Sequence, residues 1–514
     1  MKKLFVATIV YCLLFVAGAI AQPRYEFRAA WIATVDNIDW PSRGNFNPES
    51  QRAEFISQLD MHQRNGLNAV VVQIRPCTDA FYPSQYEPWS QWLTGKQGKA
   101  PEPYYDPLQF MIEETHKRGM EFHAWCNPYR AEFSIGKVPL ASNHITKVHP
   151  EWFVTYGNTR YFDPGNKEGQ QFVVKVIRDI VSRYDIDAVH FDDYFYPYRI
   201  PGKEFPDEQS YKKNGNGLTR DDWRRSNVDS IIVALSRAIK EEKEFCKFGI
   251  SPFGVWRNSD KDPEGSATKA GPTNYDELYA DILLWLRNGW IDYVAPQLYW
   301  EFGHKVVPYD VLLDWWSKHA YGRHCYIGLG VYRAGSNQAW KDKTMLPRQV
   351  DALQKNPLVQ GAIYFSSTSF VRNPMGWSDS LRLNYYKTPA LIPPMPWIDS
   401  LRPSSPDIKS VNITDSSLQI VVVKSPLEKK IIKAFRLYAC YDDILRFNNF
   451  YTAEWIGSVF NADTCIFNGP LPLNKKFARF YITSVDENNV ESKPYINWPV
   501  KIEAVKTGKD WKLN

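Results

Sequence analysis

Asp192 and Asp193 stand side by side in AVHFDDYFYP, residues 188–197, closing an apolar run and leading into aromatics. Burying a carboxylate is costly unless it is paired or used, so acids at the end of a buried strand call for a reason. Cleavage of a glycosidic bond uses that residue type twice. One acid protonates the leaving oxygen, and one carboxylate attacks the sugar or activates water. Asp192 is the better candidate for the nucleophile or base. His190, two residues earlier on the same strand face, is placed to hydrogen-bond to Asp192 and keep it ionised. Glu301, directly after QLYW, is the acid that strand parity favours, with Asp79 in RPCTDAFYP and Asp193 as rivals. Metal-assisted hydrolysis is the competing chemistry, because His123, His190, Asp192 and Asp193 are ligand types. No H-x-H or H-E-x-x-H pair anchors them, so neither a metal nor another cofactor is expected. The chain has no G-x-S-x-G elbow, and FSSTSF, 365–370, reads as packing and hydrogen bonding rather than a nucleophile.

Eight short apolar runs carry these residues: 27–34, 68–75, 120–126, 186–192, 247–253, 291–299, 325–332 and 360–366. Amphipathic stretches separate them. In NKEGQQFVVKVIRDIVSRYD, for example, Phe172, Val173, Val176, Ile177 and Ile180 recur at helical spacing. Gly66, Gly119 and Gly289 fall where helices should stop. Eight strands alternating with helices over 26–388 predict an α/β fold, a (β/α)8 TIM barrel. A doubly wound open sheet is the alternative, weakened by the lack of a glycine-rich loop after the first strand.

Strand residues alternate between the barrel interior and the helix layer, and the helix-facing set should be apolar. That test turns Gln73 and Arg75 inward on the second strand and His123, Trp125 and Asn127 on the third. It turns Ala188, His190 and Asp192 inward on the fourth, Gln297 and Tyr299 on the sixth, Tyr332 on the seventh and Tyr364 on the eighth. The polar members bunch at the C-terminal strand ends, the face where barrel enzymes keep their sites. Arg75, Asp79, Asn127, Tyr129, His190, Gln297, Tyr299 and Tyr332 are expected to line a sugar site. Trp31, Trp125, Tyr194, Trp256 and Trp300 supply rings for stacking.

The 514-residue chain is 44% hydrophobic, 23% charged and 15% aromatic, the last figure high and in keeping with sugar binding or with a large core. Residues 1–21 read as a secretory signal: Lys2 and Lys3, then an apolar stretch, then Ala19-Ile20-Ala21 before Gln22. An exported protein, periplasmic or in the cell envelope, is expected, and no later segment is apolar enough to span a bilayer. Without Lys2 and Lys3 the net charge of +5 falls to +3, too little to point to nucleic acid. Of the six remaining cysteines, Cys77 with Cys126 and Cys440 with Cys465 are the pairs to test, against buried free thiols throughout. The proline-rich stretch 389–407 marks a linker. After it, short strands over 408–506 predict a small all-β sandwich, fibronectin type III-like in its final hairpin but with Phe480 at the usual corner tyrosine.

The stretches RAAWIATVDNIDWPS, NAVVVQIRPCTDAFYPSQYEPWSQWLTG, DPLQFMIEETHKRGMEFHAWCNPYR, HFDDYFYPY, FGISPFGVWRN, YVAPQLYW and GAIYFSST occur in that order. Together they resemble the glycosyl-hydrolase-like 10 family of exported bacterial proteins, across roughly residues 26–385. The resemblance implies a TIM-barrel glycosidase of the bacterial envelope suited to glycan strands, including peptidoglycan stripped of its peptides. It maps the family pattern onto Asp192 and Asp193, with Arg75, Asn127, Gln297 and Tyr299 as pocket residues. The expectation is an exported glycoside hydrolase with a polysaccharide substrate. A non-catalytic glycan-binding protein and a metal-dependent hydrolase or deacetylase are the alternatives.

Overall fold

The computed structural model describes residues 25–414, 417–441, 454–460, 464–471, 475–494, 502–507 and 510–513. The expected signal segment, 1–21, lies outside the described residues. No helix among those described is long and apolar enough to cross a membrane.

Eight parallel strands close into a barrel: β1 (Phe27–Ile32), β2 (Ala69–Arg75), β3 (Glu121–Cys126), β4 (Ala188–Phe191), β5 (Lys247–Ile250), β6 (Tyr293–Val294), β7 (His324–Gly330) and β8 (Gly361–Phe365). Each pairs with its neighbours in sequence, and β8 returns to β1 through Phe27 opposite Gly361. These are the eight runs that hydrophobic patterning marks as strands. β6 is short because Pro296 has no N–H to give to a ladder. The sheet continues past it through Gln297, which bridges Phe253 and Gly328.

Helices form where local signals place them. α1 (Pro48–Arg64) starts at Asn47, whose side chain accepts the Ser50 N–H, with proline at the first helical position. α2 (Pro107–Lys117) starts at Asp106 in the same way, α3 (Lys167–Arg183) at Asn166 and α4 (Arg220–Glu242) at Thr219. Gly66 follows α1 at φ +79°, against Tyr386, where a Cβ would come within 2.9 Å of the tyrosine Cβ. Val70, Val72, Phe122, Ala124, Val189 and Phe191 pack outward under the helices. A second cluster, including Phe27, Ala29, Val71, Tyr293, Tyr326 and Ile363, fills the barrel itself.

The proline-rich segment is not a free linker. Leu391, Ile392 and Met395 are buried, and Ile392 and Met395 join the cluster inside the barrel. The Glu26 N–H donates to the Leu391 carbonyl at 2.9 Å, and the Trp397 indole N–H donates to Asp292 at 2.9 Å. An extended proline-rich chain carrying apolar residues suits this role, since the N-terminal barrel end needs an apolar cover. Beyond it, a three-stranded and a five-stranded antiparallel sheet share one core, with Ile420, Phe435 and Ile482 among its members. Phe480 belongs to that core as well. Cys77, Cys126, Cys246, Cys325 and Cys465 are buried free thiols.

Candidate active site at the barrel mouth

β4 runs out at Phe191, and Asp192 and Asp193 follow it at the C-terminal end of the barrel. Both are buried, at 3% and 4% exposure. Asp192 is surrounded by donors. The Trp125 indole N–H reaches its Oδ2 at 3.2 Å, Asn127 Nδ2 lies 3.3 Å from Oδ2, and the Tyr194 N–H lies 3.4 Å from Oδ1. Asn127 is held in that orientation because its Oδ1 accepts the Arg130 N–H at 2.8 Å. Burial holds the Asp192 pKa above its ordinary value, against smaller lowering effects of the Arg130 charge, Trp125, Tyr194 and Asn127.

Asp193 has a different environment. The Tyr198 hydroxyl donates to its Oδ2, and its Oδ1 is buried without a hydrogen-bond partner. Burial, and then the neighbouring charge of Asp192, push Asp193 up to about 7, against smaller opposing effects of Tyr198 and Gln297. The two adjacent carboxyls are both raised by burial but differ in surroundings, Asp192 amid donors and Asp193 holding its proton near neutrality. That division separates acid from base in many hydrolases.

His190 does not touch Asp192. Its Nε2 lies 3.3 Å from the Trp31 indole N–H, which donates to it, and 2.9 Å from Ser251 Oγ. Its Nδ1 lies 2.9 Å from the Tyr293 hydroxyl, which also meets His123 Nδ1 at 2.8 Å. Burial, with the His123 charge adding to it, holds the His190 pKa well below its usual value. The expected support of Asp192 by His190 is therefore corrected: the histidine is neutral and belongs to a layer beneath the carboxylates.

Several other expected contacts are reassigned. Glu301 accepts the Trp340 indole N–H at 3.1 Å, and it stays a candidate acid, since paired carboxyls of a glycosidase stand apart rather than touching. Arg75 is fully buried, donating to Glu87 at 2.8 Å and to the Asn127 carbonyl, so its guanidinium has nothing left for a sugar. The cause is a register shift between Gln73 and Arg75, which breaks the alternation on β2. Gln73 points as expected but holds the loop after β1, its Oε1 accepting the Val35 N–H at 2.9 Å. Tyr129 packs on Phe162 in the helix-side core. Trp256 stacks on Trp315 and donates to Asp281 at 3.3 Å, also in that core. Tyr364 faces the helices, its hydroxyl 2.6 Å from that of Tyr386. The next residue, Phe365, turns to the mouth instead.

What remains around the aspartates is a partly open wall. Tyr299, Tyr332 and Phe365 pack mutually edge-on or tilted, with Trp31 against Phe365. Tyr332 is 49% exposed, the most accessible ring of this set. Trp300 packs edge-on to Phe253, and Phe253 edge-on to Tyr198, the partner of Asp193. Gln297 donates to the Ser251 carbonyl at 2.9 Å. Asp79 sits apart, in a cavity beside the mouth. Patterning did not single out Arg130, Tyr198 or Phe365. Arg130 and Tyr198 lie in NPYR and HFDDYFYPY, past the strand ends where parity has no meaning. FSSTSF behaves as expected: Ser366 and the Thr368 N–H both donate to Asp39, at 2.7 and 2.8 Å. Among the described residues, no group of three His, Cys, Asp or Glu side chains is arranged to hold a metal.

The glycosyl hydrolase-like 10 family model matches residues 26–345, ending before β8. Glycosyl hydrolase YngK of Bacillus subtilis (strain 168) is 45% identical over 498 residues, 96% of each chain. Glycosyl hydrolase DigH of Escherichia coli (strain K12) is 38% identical over 370 residues, covering 67% of this chain and 83% of its own. Among solved structures, the PgaB (BpsB) glycoside hydrolase domain from Bordetella bronchiseptica aligns with a TM-score of 0.45 and 14% identity, over 71% of this chain and 100% of that one. With a closed eight-stranded barrel, a pair of buried aspartates at its mouth and relatives of this similarity along the chain, the protein belongs to the glycosyl hydrolase-like 10 family.

Proposed function

We propose that the protein is an exported glycoside hydrolase that cleaves bacterial cell-wall glycan, with Asp192 and Asp193 as its working carboxylates. The observation that carries this reading is the unequal environment of the two acids. Asp192 is surrounded by N–H donors and the Arg130 charge, which favour its ionised form against the burial that raises its pKa. Asp193 holds its proton to about pH 7, and its Oδ1 has no acceptor in the protein. In this proposal Asp193 protonates the leaving glycosidic oxygen, while Asp192 acts as nucleophile or base at the anomeric centre. Tyr198 holds Asp193 in place, and Asn127 with Trp125 orients Asp192. Tyr299, Tyr332 and Trp300 offer ring faces to the chain. Export is the reading of residues 1–21.

Purified peptide-free cell-wall glycan and a panel of other polysaccharides, incubated with the protein and followed by mass analysis of products, test the reading. Shortened strands from the cell-wall glycan support it. Binding of that glycan with no new reducing ends would make the protein a glycan-binding one instead.

A further inference from the structure

A cavity of about 320 Å³ lies among the loops that follow β1, β2 and β3. Those loops leave the same barrel end as Asp192 and Asp193. Phe46, Trp92 and Phe133 give the cavity ring surfaces, with Trp92 and Phe133 packed edge to face at 6.2 Å between centroids. Phe46 and Phe133 are substantially exposed, at 47% and 41%. Asp79 lies in the lining, almost wholly buried; Ser90, Gln97 and the Cys77 backbone act on its carboxylate, but its Oδ1 has no hydrogen-bond partner. A buried acceptor left unsatisfied is expensive, so it points to a donor that arrives with a ligand. Arg130 connects this cavity to the reaction centre. Its guanidinium lies 5.3 Å from the Phe133 ring and 5.7 Å from the Tyr194 ring, and its charge acts on Asp192.

We propose that this cavity is a remote sugar subsite, holding one pyranose ring of a bound glycan some way along the chain from the bond being cleaved. The volume falls at the small end of ligand pockets, in keeping with a single ring rather than a long segment. Aromatic faces meet the C–H faces of the sugar, and a hydroxyl or amide N–H of the ring donates to Asp79 Oδ1. Asp79 here is a binding group and not an acid in the reaction. The inference rests on the glycan reading above, and it adds that the protein favours long chains over short ones.

The test is titration calorimetry of the full chain with peptide-free cell-wall glycan in two fractions, of about two sugars and of about eight. Wild type, Phe46→Ala and Asp79→Leu, which removes the acceptor at similar side-chain shape, are compared, with reducing-end release measured in parallel. Wild type should bind the long fraction more tightly than the short one. Each variant should weaken long-strand binding by about fivefold to tenfold, the scale of one lost hydrogen bond or ring contact, and leave short-strand binding unchanged. Phe46 is at the exposed rim, so its variant keeps the test valid if Asp79→Leu folds poorly. Long strands bound equally by wild type and Phe46→Ala, or no more tightly than short ones, overturn the subsite. Release of reducing ends alongside that result leaves the hydrolase reading intact. Length-dependent, variant-sensitive binding without any release supports the subsite and removes the hydrolase reading.

Discussion

At the scale of single residues, the account turns on the proton of Asp193. Its pKa in the fold is about 7, against about 3.9 for an unperturbed aspartate. If this proton goes to the leaving group, kcat/KM falls as pH rises through about 7, and a pH–rate profile reads that alkaline limb directly. A flat profile from pH 6 to 9 contradicts the role of Asp193 as acid. The same shift has a consequence for stability. A carboxyl whose pKa is raised on folding costs nothing below its unfolded value, and stability is lost as pH climbs through the folded value. Asp193→Asn, which keeps an acceptor for Tyr198, should therefore raise Tm at pH 8, with the gain disappearing near pH 4. Thermal melts of the two proteins at both pH values check it.

At the scale of elements, strand alternation explains both what was legible and where legibility stopped. Val70, Val72, Phe122, Ala124, Val189 and Phe191 are apolar because helices cover them, and that left Trp125, Asn127, His190 and Asp192 pointing inward as patterning predicts. Arg75 escaped because the register slips after Gln73, and nothing in AVVVQIR marks the slip. On β8 the neighbours Tyr364 and Phe365 are both aromatic, and the tyrosine hydroxyl made the wrong one look like the site residue. Trp256 and Tyr129 follow their strands too far for parity to apply, since the loops carrying them fold back onto the helix layer. His190 was placed on the correct face, but its partners come from β1, β5 and β6, long-range pairings that no local pattern reveals. The corrected role of Arg75 gives a prediction at this scale. Removing it in Arg75→Ala leaves Glu87 buried without its cation, a loss of about 3–5 kcal/mol that denaturant unfolding can measure. A loss under about 1 kcal/mol, the range of an exposed pair, contradicts the buried role.

At the scale of the whole molecule, the two domains meet beneath the barrel. Asn489 donates to Glu121 at 2.6 Å, and Lys247 pairs with the same carboxylate at the base of the barrel. The Tyr25 hydroxyl donates to Glu491 at 2.9 Å. The aspartate pair is at the opposite end of the barrel, away from the C-terminal sheets. A chain ending at residue 403 keeps the buried strap of Leu391, Ile392 and Met395 and should retain turnover on soluble glycan. One ending at 388 strips that cover from the barrel and should melt several degrees lower, since burial of three such side chains is worth roughly 4.5–9 kcal/mol. Equal melting of the two truncations contradicts the structural role of the strap. The central claim, that the two aspartates at the mouth cleave a glycosidic bond, is tested most directly by counting new reducing ends from purified peptide-free cell-wall glycan. The account predicts release by wild type and a drop of about a thousandfold or more in folded Asp192→Asn, the scale of losing a nucleophile or base. Wild-type rates from that folded variant would contradict it.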